Sequence, residues 1–138
     1  MNARKKSSSS LPNNKRVCAI LDTGAQYGKV VDRRVREQSV EKVIIPIDTS
    51  WEKLQHFGAV IIPGGPDDLT AGNTQLCDPR LFTDNTTTPV LGICLGMQLM
   101  TQALGGNLER LPTREDGQET ITIDTNSPLM TSDRKSVV

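Results

Sequence analysis

Cys94 lies in the run Val90-Leu91-Gly92-Ile93-Cys94-Leu95-Gly96-Met97-Gln98, and Gly92-x-Cys94-x-Gly96 has the spacing of a strand-to-helix nucleophile turn with sulfur in place of oxygen. Glycine on either side of the cysteine permits a sharp bend and lets neighbouring backbone come close. Such a turn presents the thiol at the carboxyl edge of a sheet, over a helix N-terminus whose partial positive charge favours thiolate. The chemistry implied is nucleophilic attack. A second candidate is Pro63-Gly64-Gly65-Pro66. Its paired glycines can turn backbone N–H groups toward an oxyanion, the alternative being a plain tight turn. His56 is the only histidine in the chain. It precedes a strand, whereas chemistry in an open parallel sheet gathers where strands end. His56 is therefore expected at the edge away from Cys94.

The elements that must position these residues can be read in order. Val17 to Leu21 is an apolar run that predicts a buried first strand, with Cys18 inside it as a small core residue. Asp22-Thr23-Gly24 is a turn, and residues 26–37 read as a helix with Tyr27, Val30, Val31 and Val35 on its apolar face. Its other face carries Lys29, Asp32, Arg33, Arg34, Arg36 and Glu37, which predicts a solvated surface or one that docks another domain. Val43 to Pro46 is a second strand, and Thr49-x-x-Glu52 has the pattern of a capping box for a short helix through Trp51 and Leu54. Ala59 to Ile62 is a third strand, leading straight into the Gly64-Gly65 loop. Asp78-Pro79 offers an N-cap and first turn for a short helix through Phe82. Val90 to Ile93 is the strand before Cys94. Leu95 to Leu104 is the helix after it, ended by Gly105-Gly106. Two alternating segments, Asn107 to Leu111 and Thr120 to Ile123, predict antiparallel strands. The alternation of strand and helix predicts an α/β fold: an open, doubly wound, mostly parallel sheet of flavodoxin-like type with an antiparallel extension.

Composition narrows the function classes. Sixteen basic and sixteen acidic residues cancel in a chain of 138, which argues against a nucleic-acid or membrane surface as the partner. No apolar run is long enough for a transmembrane helix or a signal peptide. Cys18, Cys77 and Cys94 are widely spaced and lack metal-ligand spacing, which fits a reducing, cytoplasmic setting. Asn85-Thr86-Thr87 matches a glycosylation triplet but reads as an ordinary loop without a secretory signal. Aromatics make up 3% of the chain, so the core must be aliphatic. Residues 1–15, with Arg4-Lys5-Lys6 and four serines, read as a disordered leader. The folded portion is expected over 16–130, with a divergent tail over 131–138.

Three blocks carry a family resemblance. Val17 to Glu37, with Gln26-Tyr27 and Arg33-Arg34-Val35-Arg36-Glu37, resembles the opening of a GMP synthase-type glutamine amidotransferase domain. Ile62-Pro63-Gly64-Gly65-Pro66 is similar to the oxyanion loop of class I (triad) amidotransferases, and Pro89 to Gln98 to their nucleophile motif. Arg114-Glu115-Asp116-Gly117 is similar to a further block of the same type. The resemblance implies that Cys94 attacks the carboxamide of glutamine. It implies further that the N–H groups of Gly65 and Leu95 form the oxyanion hole, and that Gly64 and Gln98 help hold the substrate. The implied partners are glutamine and a synthetase (ATP pyrophosphatase) domain or subunit that aminates XMP to GMP. ATP and Mg²⁺ would serve that second domain, leaving no cofactor for this chain. The sequence departs from the family in having no histidine after Cys94, hence no His-x-Glu pair, and no ATP pyrophosphatase loop. An incomplete amidotransferase domain with weak or no turnover is therefore expected. A catalytically inactive binding or interaction module is the alternative.

Overall fold

The computed structural model describes residues 14–24, 26–66, 69, 76–112, 117–118 and 120–128. Four strands, β1 (Val17–Asp22), β2 (Glu41–Pro46), β3 (Ala59–Ile62) and β4 (Val90–Gly92), form one parallel sheet in the order β2-β1-β3-β4. Helix α1 (Tyr27–Glu37) joins β1 to β2, and α2 (Trp51–Leu54) joins β2 to β3. Helix α3 (Arg80–Thr83) precedes β4, and α4 (Leu95–Ala103) follows it. The chain moves outward from β1 to β2, then crosses back past β1 to β3. Right-handed crossovers in these opposite directions put α1 on one face of the sheet and α2 on the other. The strand order is that of the flavodoxin-like, doubly wound class.

Side chains alternate across each strand, so the register decides which residues share a face. Ala19 and Leu21 of β1, with Val60 and Ile62 of β3, point into the main core. There they meet Leu54 of α2, Leu81 of α3, and Leu95 and Leu99 of α4. Ile20, on the other face, is completely buried, and Cys18 is nearly so. Val43-Ile44-Ile45 forms a strand as expected, lengthened at its start by Glu41 and Lys42.

Four expectations need correction. Asp32, assigned to the solvated face of α1, is only 7% exposed. It faces the sheet and pairs with Lys42 of β2 and Arg36 of its own helix, whereas Val30, assigned inward, is 56% exposed. The inward stripe is Gly28-Val31-Asp32-Val35, a helical spacing in which the charge is tolerated because a lysine meets it. Thr49 does not cap α2, whose N-cap is Ser50 with no side-chain cap of its own. The Thr49 hydroxyl donates to the Pro46 carbonyl at 2.6 Å, and the Trp51 N–H instead finds Asp78 at 2.9 Å. Lys15, assigned to the leader, is tied down: its ammonium donates to the Gln55 carbonyl at 2.7 Å. The antiparallel extension is not formed among the described residues; 106–111 and 120–124 carry no strand. Leu111 and Ile121 are each 62% exposed, so the apolar side of the alternation has no surface to cover it. Residues 1–13, the block 113–116 and the tail 131–138 lie outside the described residues.

Candidate functional site

The carboxyl edge of the sheet is assembled by backbone contacts. Strand β4 hands over to α4 at Ile93, whose N–H donates to the Ile62 carbonyl at 2.9 Å, locking the end of β4 to the end of β3. Cys94 follows with φ 52° and ψ −106° and serves as N-cap of α4. That is a strained conformation for a side-chain-bearing residue, costing on the order of 1–3 kcal/mol, and it is typical of sites where geometry is imposed by surroundings. The surroundings are on each side of it. A Cβ at Gly92 would lie 2.6 Å from the Gly96 carbonyl carbon, and one at Gly96 would strike the Ile62 carbonyl oxygen. Only glycines let the first turn of α4 lie flat on β3 and β4. The thiol of Cys94 is exposed.

The loop after β3 arrives at the same edge. Pro63 and Gly64 are buried, and Gly65 is wedged between two neighbours. A Cβ there would come 2.6 Å from Leu95 Cδ2 and 3.0 Å from Thr23 Cβ. Thus Gly65 touches the residue that follows Cys94. Among the described residues, neither the Gly65 N–H nor the Leu95 N–H donates a hydrogen bond. The first N–H groups of a helix lack intrahelical acceptors, so Leu95 offers a donor to any oxyanion beside Cys94. Gln98 lies one turn into α4, its N–H donating to the Cys94 carbonyl at 3.0 Å, and it is half-buried.

Other singled-out residues fall elsewhere. His56 is half-buried between α2 and β3, at the amino edge, beside a cavity of about 540 Å³ that Ile45, Lys53 and Phe57 also line. His56 stands three residues before β3 and Cys94 just past the end of β4, so the length of β3, about 10 Å from Ala59 to Ile62 at strand rise, separates the edges they occupy. Cys18 is buried, and burial pushes its thiol above the ordinary range. Cys77 is buried next to Asp78; desolvation first, then that neighbouring charge, push its thiol up to about 11. Both are core residues. Asn85 spends its amide inside its own loop, accepting from the N–H groups of Thr87 and Thr88 and donating to the Thr88 carbonyl.

Sequence reasoning passes over Thr23. It is buried, and its hydroxyl donates to the Gly64 carbonyl at 2.6 Å. Its place directly after β1, the strand adjoining β3, is the signal that could have marked it.

An open parallel sheet with a strained cysteine between β4 and α4, and a glycine pair ending β3 beside it, defines an α/β protein of the cysteine-elbow class. The family model described as "Glutamine amidotransferase class-I" matches residues 19–138, and the chain belongs to that family. Its relatives narrow the type. A probable GMP synthase (glutamine-hydrolyzing) of Caenorhabditis elegans is 46% identical over 114 residues, 80% of this chain and 15% of the relative. The GMP synthase of Dictyostelium discoideum is 39% identical over 128 residues, 86% of this chain and 18% of the relative. That of Rippkaea orientalis is 36% identical over 121 residues, 86% and 22% respectively. The chain thus spans less than a quarter of the length of these relatives. No helix among the described residues is long and apolar enough to cross a membrane.

Proposed function

We propose that this chain carries the glutamine-attacking part of a GMP synthase-type amidotransferase. The observation that carries the reading is the conformation of Cys94, held at φ 52° between β4 and α4 beside the Gly64-Gly65 loop. The Cys94 thiolate attacks the side-chain carboxamide carbon of glutamine. The carbonyl electrons move onto oxygen, which the Gly65 and Leu95 N–H groups receive, a contribution of about 3 kcal/mol per donor. Gly64 and Gln98 hold the substrate. Collapse of the tetrahedral intermediate breaks the C–N bond, the nitrogen leaves as ammonia with the proton that the thiol gave up on becoming thiolate, and a glutamyl thioester remains. Water then releases glutamate and restores the thiol. The ammonia passes to a synthetase domain or subunit, where ATP and Mg²⁺ support amination of XMP to GMP in the cytoplasm. This chain's own chemistry is acyl transfer and uses no cofactor.

The position of His56 favours a second reading for the chain taken alone. It cannot reach Cys94 from the amino edge, and losing the base of a nucleophile–base pair costs on the order of 10⁶ in turnover. The chain by itself is then a glutamine-capturing or interaction module that turns over only when another group accepts the thiol proton. Mass spectrometry after exposure to a chloroketone analogue of glutamine tests the main reading. The expected result is one adduct on Cys94, protected by glutamine and absent in Cys94→Ala. A wild-type chain that gains no adduct would sink it. Glutamate release above the Cys94→Ala background separates a turning-over site from a capturing one.

A further inference from the structure

We infer that Thr23 is a positioning residue for the oxyanion hole, acting through the Gly64–Gly65 peptide unit. The inference rests on the roles just proposed for Cys94 and Gly65. The Gly64 carbonyl and the Gly65 N–H belong to one planar peptide group, and in a trans peptide they point in opposite directions. Holding the carbonyl therefore aims the N–H. Thr23 holds it with a 2.6 Å hydrogen bond from a buried hydroxyl, and Thr23 is only 6% exposed, so water does not compete for that carbonyl.

The need for such a clamp follows from the loop's composition. Two consecutive glycines have the widest conformational freedom of any dipeptide, and a peptide plane between them can flip with little steric penalty. A flip would exchange the two ends of this peptide group, setting a negative dipole where the proposed donor stands. Glycine at 65 suits this close packing, because a Cβ there would press on the Leu95 side chain and crowd Thr23. The freedom that lets the loop approach Leu95 is thus removed from outside, by the residue after β1. Thr23 is itself fixed: the Gly24 N–H donates to Asp22 Oδ1 at 2.9 Å, and Gly24 takes φ +74° to close the turn. The three residues Thr23, Gly65 and Leu95 form a contiguous stack in which the first orients a donor of the second and the third supplies its own. Thr23 touches no substrate in this arrangement.

The test measures labelling of Cys94 in the purified chain by the glutamine chloroketone, whose carbonyl enters the oxyanion hole, and by iodoacetamide, which needs no such hole. Thr23→Val removes the hydroxyl at constant shape, Thr23→Ala removes it with less bulk, and Thr23→Ser retains it. The saturating chloroketone rate is expected to fall about tenfold in Thr23→Val and Thr23→Ala, with the half-saturating concentration little changed, and to stay within about twofold of wild type in Thr23→Ser. Iodoacetamide should alkylate Cys94 at one rate in all four proteins. Wild-type chloroketone rates in whichever of the Val and Ala variants folds would overturn the inference while leaving the Cys94 reading intact. Equal slowing toward both reagents would overturn it too, since that marks general loosening. A wild-type chain unreactive toward the chloroketone would remove the proposed site and this inference together.

Discussion

The Asp78 carboxylate accepts the backbone N–H of Trp51 at 2.9 Å, so the first turn of α2 is capped from the segment that opens α3, 27 residues away in sequence. The same carboxylate accepts from the Arg80 N–H and is paired with the Arg80 guanidinium at 2.7 Å, which also reaches Glu52 on α2. One side chain therefore ties two short helices that could not persist alone, since isolated turns lack the length for cooperative stability.

Acid should weaken this tie in a defined window. The Arg80 hydrogen bond, aided by the Trp51 and Arg80 N–H groups, holds Asp78 near 2, below its ordinary 3.8. A carboxyl whose folded pKa is depressed contributes stability that is complete above the unfolded value and lost as pH falls through the folded one. Allowing for solvent screening, the contribution is about 1 kcal/mol. Chemical denaturation at pH 6 and pH 2 should show wild type losing that increment more than Asp78→Asn does. Asp78→Ala should cost about 1–2 kcal/mol at pH 6, because the Trp51 N–H loses its cap.

Asp32 and Lys42 should behave as a coupled pair. Asp32→Ala leaves the mostly buried Lys42 ammonium under α1 without its counter-charge, at a cost of about 3 kcal/mol. Lys42→Met alone should cost less, because Arg36 still pairs with the Asp32 carboxylate. The double variant should be more stable than the sum of the two losses implies, and urea melts of the four proteins give the coupling directly.

Glycines at the two ends of α4 should respond differently to alanine. Gly96→Ala forces a methyl into the Ile62 carbonyl and against Ile62 Cβ at 2.7 Å. It should destabilise the fold by about 1–3 kcal/mol and slow chloroketone labelling as α4 lifts from the sheet. Gly105→Ala meets open space but must hold φ +81°. It should cost about 1 kcal/mol through backbone strain and leave Cys94 labelling unchanged.

The three thiols should separate by accessibility and proton affinity. Exposed Cys94 should take up iodoacetamide in the native chain, with buried Cys18 and Cys77 reacting only after unfolding, as tryptic peptide masses would reveal. Cys77 also predicts an alkaline limb. Its folded pKa is raised to about 11 from 9.0, so its contribution is complete below 9 and is lost as pH climbs toward 11. Cys77→Ala should flatten that limb in melts between pH 8 and pH 11.

Much of the site is legible in the order of residues because it is local. The elbow needs glycine, cysteine and glycine at alternate positions between an apolar strand and a helix, and all of that falls within Val90 to Leu104. The Gly64-Gly65 loop is readable because it directly follows Ala59 to Ile62. Even the remoteness of His56 follows from its place before a strand in a parallel sheet. The antiparallel extension is less legible, since its segments carry no strand among the described residues. Alternation favours a strand only where a partner and a covering layer exist, and Leu111 and Ile121 find neither among the described residues.

The sequence by itself determined which reactive groups this chain offers, since a thiol, its flanking glycines and the glycine pair are matters of residue type and short spacing. Only the tertiary structure decided how they are held. Sheet order β2-β1-β3-β4 sets the end of β1 beside the end of β3, which brings Thr23 onto Gly64 from 41 residues away. The same order turns Asp32 toward Lys42 and carries Asp78 to Trp51. Such contacts depend on which strands become neighbours, and that choice is made by the crossovers and the shared core rather than by any short stretch of chain.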